Sequence, residues 1–228
     1  MNRILKVVRL QLIQKMTFVW IPLIVVGGSL LVSILIWAMI PPGGVKYSGG
    51  GQAIVWYFVA IGVQALTLTF PFSQALSITR RDFVLGTLLM AVIASAAIAT
   101  LFTVGALVET ATGGWGVNGT FFRFGWLWEQ GWWAAWLAYF AAPFLLFTIG
   151  FASAAIFKRW GTVAVVATGI GLALLGVGAM WLIGALDAWP SVLETLAGVT
   201  AASLALLGVL AAAVLSTSSY AIMRRAVP

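Results

Sequence analysis

Six long apolar runs divide the chain, separated by short polar or Gly/Pro-rich breaks, at residues 17–40, 53–75, 83–108, 133–157, 161–186 and 196–221. A run of about 24 residues reaches roughly 36 Å as an α-helix, enough to cross a hydrocarbon core of about 30 Å with some tilt. Barrel strands would be much shorter and would alternate apolar with polar positions, and a backbone in lipid must satisfy its own hydrogen bonds. The pattern predicts an all-α polytopic membrane protein, a single transmembrane domain over residues 1–228 with six transmembrane helices.

Ahead of the first run lies MNRILKVVRLQLIQKM, residues 1–16. Ile4, Val8 and Leu12 fall along one helical face while Arg3, Lys6 and Arg9 share another, although Leu10 and Ile13 interrupt the polar side. This predicts a short amphipathic helix at the cytoplasmic interface, with a basic topogenic tail as the plainer alternative. The apolar stretch that follows is far longer than the 7–15 residues of a signal peptide's core, and it ends at Trp37 and Pro41-Pro42 without a small-residue cleavage site. It reads as a retained first span.

Composition agrees. The chain is 63% hydrophobic and 7% charged, with a mean hydropathy of +1.11, against about a quarter charged in soluble domains. The net charge of +7 points to the lipid bilayer and not to nucleic acid, because the cations sit at span ends. Arg3, Lys6, Arg9, Lys15, Arg80, Arg81, Lys158, Arg159, Arg224 and Arg225 fall on one side of the alternating spans. Only Lys46 and Arg123 fall on the other, together with Glu109, Glu129, Asp187 and Glu194. Positive residues mark cytoplasmic segments, so both termini are expected in the cytoplasm of a bacterial cell with the spans in its inner membrane.

The chemistry-bearing residues are few. With no cysteine and no histidine, thiol nucleophiles, imidazole bases and the commonest zinc ligands are missing. No GxxxxGK[ST] phosphate loop and no HExxH occurs, and no lysine or aspartate lies near a bilayer midplane to activate a serine. The chain is expected not to be an enzyme and to carry no cofactor or metal of its own. Ion-coupled carriers keep ionisable groups inside their spans, and these span centres hold none. Gln64, with Thr67 below it, is the most central strong polar group; it forms either an interhelical hydrogen bond or part of a substrate path. Glu109 is placed at the outer end of the third span, within reach of water. Gly169, Gly171, Gly176 and Gly178 are read as sites of close helix packing, and Pro71 and Pro143 as kinks. Residues 41–52 form a Gly-rich loop. Residues 109–132 carry Trp115, Phe121, Phe122, Phe124, Trp126, Trp128 and Trp132, an expected aromatic belt at the outer interface with a short helix; a lid over a substrate exit is the sharper alternative.

The most informative segment is FPFSQALSITRRDFVLGTLL, residues 70–89. Thr79 with Asp82 three residues on forms a capping-box pattern ahead of an apolar run, and Asp82 suits the positive start of a helix. Phe70-Pro71-Phe72 through Ala75-Leu76-Ser77, then Thr79-Arg80-Arg81-Asp82-Phe83 and Leu85-Gly86-Thr87, resembles the junction of small permease subunits of ABC-2 type ABC transporters, which carry FPFA-x-x-(G/S)-x-(S/T)RR-x-F-x-x-GT there. The resemblance covers about twenty residues in motif and the whole chain in topology. It implies a permease subunit energised by a separate soluble ABC ATPase that holds the ATP and Mg, and the apolar, charge-poor spans point to a hydrophobic or amphipathic substrate. It also implies a second permease copy or paralogue, and it makes Ser77, Thr79, Arg80, Arg81 and Asp82 candidate contacts of a coupling turn with the ATPase. The larger members of that family carry a sizeable re-entrant element between the last two spans, for which residues 187–195 are too few. A gradient-driven transporter or channel, or a membrane scaffold or sensor, are the alternatives.

Overall fold

The computed structural model describes residues 3–13, 15–41, 43–75 and 78–224. It is almost entirely helical. In chain order these are α1 (Arg3–Ile13), α2 (Met16–Met39), α3 (Gln52–Gln74), α4 (Arg80–Ala111), α5 (Trp132–Ala185), α6 (Trp189–Ala197) and α7 (Ala201–Arg224). Five of them, α2, α3, α4, α5 and α7, are long and apolar enough to cross a membrane. The expected fourth and fifth spans correspond to the two helical arms of α5, which meet at a kink where Gly161 leaves helical geometry (φ 80°, ψ −174°). That conformation is open to glycine and closed to other residues. The last span starts at Ala201, not 196, because residues 189–197 form the separate short helix α6.

The first arm of α5, residues 132–160, is the hub: it packs against α3, α4 and α7. Its buried face includes Phe144, Phe147 and Phe151, which meet Phe58 and Ile61 of α3 and Ile98 and Phe102 of α4 in one apolar cluster. The α3–α5 crossing is made close by two glycines facing each other's backbone. A side-chain carbon at Gly62 would overlap the Phe147 carbonyl, and one at Gly150 would overlap the Val59 carbonyl. Small residues permit such an approach in helix pairs that gain nothing from lipid. The glycines singled out from sequence do not do this work: Gly169, Gly171, Gly176 and Gly178 face open space, and no residue from 162 to 200 is buried.

The amino-terminal helix forms over Arg3–Ile13 and is docked on the bundle. α1 packs against α4 with Val7, Val8 and Gln11 buried, and Gln11 Nε2 donates to Thr87 Oγ1 at 2.8 Å. Two widened π-turns, Met16–Trp20 and Ala65–Thr69, lie just ahead of Pro22 and Pro71. A proline ring clashes with the carbonyl four residues back, here that of Phe18 or Thr67, and an opened turn relieves the clash. Pro143, by contrast, is buried inside helical α5.

The Gly62–Gly150 contact is testable. Gly62→Ala or Gly150→Ala should destabilise the bundle by about 1–3 kcal/mol through overpacking, seen as a lower thermal transition in detergent. Gly169→Ala should leave that transition unchanged or slightly raised, since alanine favours helix.

Candidate functional site

The bundle has two chemically distinct ends, and α4 runs from one to the other. Its 32 residues span about 48 Å at 1.5 Å per residue. At its start, Thr79 caps the helix: its Oγ1 accepts from Asp82 N at 3.1 Å and donates to Asp82 Oδ2 at 2.8 Å. This is the predicted cap, with the carboxylate taking the threonine hydroxyl. Arg80 turns inward, donating from Nη1 to the Met223 carbonyl at 2.9 Å and so tying α4 to the last turn of α7. Phe70 meets Phe83 edge-on at 5.1 Å, and Lys158 Nζ lies 4.9 Å above the Phe70 ring. These contacts gather Arg80, Arg81, Lys158, Arg159 and Arg224 at one basic end.

Much of the 70–87 pattern is therefore spent on internal packing. Phe83 and Thr87 are buried, Thr87 holds Gln11, and Arg80 is half-buried against α7. What faces outward is Phe72, 68% exposed, with Gln74, Thr79 and Arg81 beside it. Ser77 lies outside the described residues.

At the other end of α4 stands Glu109. It is 3% exposed, so it does not reach water as its place in the sequence suggested. Its Oε2 accepts from Phe121 N (2.8 Å), Phe122 N (3.0 Å) and Trp115 Nε1 (3.0 Å), and its Oε1 accepts from Arg123 N (3.1 Å). Three successive backbone amides form a concave nest for the carboxylate, as such turns do for anions. The loop is thereby pulled into the bundle. Phe121 and Phe122 are buried, Phe122 packs edge-on against Phe102 at 5.2 Å, and the Tyr139 hydroxyl donates to the Phe122 carbonyl.

A short parallel pairing of β1 (Lys46–Tyr47) with β2 (Gly119–Thr120) joins this loop to the Gly-rich one. Lys46 Nζ donates to the Trp37 and Ile40 carbonyls at 2.6 and 3.0 Å, closing the end of α2 with a cation where the helix dipole favours one. The expected belt is thus only part of the picture. Trp126, Trp132 and Trp133 are exposed as belt residues would be, and Gly125–Trp128 forms a short 3₁₀ turn, while the two phenylalanines act as a plug.

Beneath that 3₁₀ turn lies an apolar cavity of about 480 Å³, bounded by Val55 and Trp56 of α3, Phe102 of α4, Tyr139 and Leu146 of α5, and Trp126. A second hollow of about 390 Å³ continues it between α5 and α7, sharing Ala138, Ala142, Leu145 and Leu204. The first is within the size range of small-molecule sites. No charged side chain lines either hollow among the described residues.

Gln64 and Thr67 belong to neither end. Gln64 is exposed on α3 and makes no hydrogen bond among the described residues, and Thr67 Oγ1 donates back to Val63 O at 2.9 Å within its own helix. No group of three or more metal-ligating side chains occurs among the described residues. Sequence reasoning gave no role to Gln11 or Tyr139, and it read Thr87 only as a motif position and Trp115 only as a belt aromatic. Of these only Gln11 carried a signal, as the one strong polar side chain beside the apolar face of α1. Comparison with family models, curated proteins and solved structures finds no match.

Removing the carboxylate should unseat the loop. Glu109→Ala leaves four donors without their acceptor, at about 1–3 kcal/mol for each one that stays buried. Limited proteolysis should then cut within 113–131 while the helices stay intact, and Glu109→Gln, with one oxygen acceptor left, should fall between the variant and the wild type.

Proposed function

We propose that this chain is the membrane-embedded permease subunit of an ATP-driven transporter, coupled to a separate soluble ATPase through the outward face of the 72–82 turn. The observation that carries the proposal is α4 itself. One uninterrupted helix bears the exposed turn at its start and, at its last turn, the glutamate that holds the loop roofing the apolar cavity. A push on the turn displaces a rigid rod, and the rod ends on the cavity's roof. Stiff helices with two discrete placements are the usual carriers of such motion.

In this reading the chain crosses the bacterial inner membrane six times with both termini cytoplasmic. A straight 54-residue α5 would measure about 81 Å, more than twice a hydrocarbon core. The glycine conformation at 161, beside Lys158 and Arg159, is where it turns back at the cytoplasmic face. The cavity, apolar and open toward the membrane, suits a hydrophobic or amphipathic substrate. A second permease copy, packed on faces this protomer leaves open, completes the pathway.

Among the described residues the partner contact narrows to Phe72 and Arg81, because Arg80 is tied to α7 and Thr79 and Asp82 engage each other. Affinity purification of the tagged chain from its host in mild detergent should recover a soluble ATPase with a phosphate-binding loop. Phe72→Ala combined with Arg81→Glu should lose it while membrane insertion and thermal stability persist. Transport in liposomes by the chain alone, without nucleotide, would overturn the proposal in favour of a gradient-driven carrier.

A further inference from the structure

We propose that the crevice between Arg159 of α5 and the last turn of α7 binds the phosphate headgroup of an anionic phospholipid. This rests on the chain being embedded in a membrane and is independent of the transport reading. The crevice encloses about 540 Å³ and is lined, among the described residues, by Arg159, Ala221, Ile222 and Arg224. Each guanidinium rests by an aromatic ring: Arg159 Cζ lies 4.4 Å from the Trp160 ring centre and Arg224 Cζ 5.9 Å from that of Tyr220. Stacking of this kind fixes the plane of a guanidinium while leaving its N–H edge free to donate.

Among the described residues neither arginine is paired with a carboxylate. The chain has five acidic side chains. Asp82 is engaged by Thr79, and Glu109 is consumed by the loop at the far end of α4. Glu129 adjoins the 3₁₀ turn at that far end, where Gln130 meets the start of α7, and Asp187 and Glu194 lie in the segment leading into that start. The Met223 carbonyl in the last turn of α7 is taken by Arg80. Two like charges therefore face one hollow, and an anion entering it gains charge-assisted hydrogen bonds that no group among the described residues supplies.

Position selects the lipid over other anions. Trp160 and Tyr220 flank the site, and such residues settle at headgroup depth. Ala221 and Ile222 give the crevice an apolar wall on which the glyceryl part of a lipid can lie. Basic pockets between transmembrane helices at the positively charged face hold anionic headgroups for these reasons.

Native mass spectrometry of the full chain, released from detergent with an equimolar mixture of phosphatidylglycerol and phosphatidylcholine, tests this. The wild type should retain phosphatidylglycerol preferentially. Arg159→Gln with Arg224→Gln should weaken that retention at least about ten-fold. Lys15→Gln, which removes an exposed cation of the same end outside the crevice, should not. Ala221→Glu, which keeps both arginines and places a competing carboxylate in the hollow, should abolish the preference too, so the outcome does not hang on the double variant folding. Equal retention of the two lipids by the wild type would overturn the site, as would an unchanged preference in the Ala221→Glu protein. A Lys15→Gln loss as large as that of the double variant would reduce it to diffuse surface charge.

Discussion

The constraint on which one whole end of this molecule depends is a buried carboxylate with no cation beside it. A charge in a medium of low dielectric is costly unless it is fully hydrogen-bonded. Glu109 meets that condition with three consecutive backbone amides and an indole. The converse also holds, since the amides of Phe121 and Phe122 would otherwise be buried donors without acceptors. The left-handed run at residues 113–116, including Trp115 at φ 62°, belongs to the same arrangement. A non-glycine residue there costs about 1–2 kcal/mol, which the indole's bond to the carboxylate offsets. From this point outward the loop's plug, the β1–β2 pairing and the roof of the apolar cavity follow in turn.

At the opposite end the logic is cationic. Arg80 closes α7, Lys158 covers Phe70, and Gln11 binds α1 to Thr87, so the end of α3 and the start of α4 are braced from three directions. Under the proposed coupling to an ATPase, bracing of this kind suits a surface that transmits force. A turn that moved freely relative to the bundle could bind a partner, but it could not pass displacement into α4. The two ends are thus alternative solutions to the same problem of fixing a helix terminus: amides around an anion at one, an arginine on a carbonyl at the other.

The sequence disclosed what periodicity and spacing encode. Long apolar runs located the helices, and the Thr79/Asp82 spacing located the start of α4 to the residue, because a cap is a local interaction between neighbours. It disclosed poorly what depends on distant backbone. Glu109 looked like a water-facing end residue because its partners are peptide N–H groups 12 to 14 positions away, and these carry no side-chain signature. Glycine misled for a related reason. The dense cluster at 169–178 drew attention, yet close approach requires a neighbour, and those glycines have none, whereas Gly62 and Gly150 each face the backbone of the other's helix. The sequence put the break within α5 at Lys158 and Arg159, where hydropathy drops, whereas helical geometry passes through those residues and breaks at Gly161.

Amide hydrogen exchange of the wild-type chain in lipid nanodiscs, followed by mass spectrometry, tests the central claim most directly. If Glu109 holds the loop, the amides of Phe121, Phe122 and Arg123 will exchange as slowly as those in the middle of α4, although they lie in no helix. Exchange of these three amides as rapid as that of the Gly-rich 41–51 segment, with the helices still protected, would contradict the carboxylate nest and with it the link between α4 and the cavity's roof.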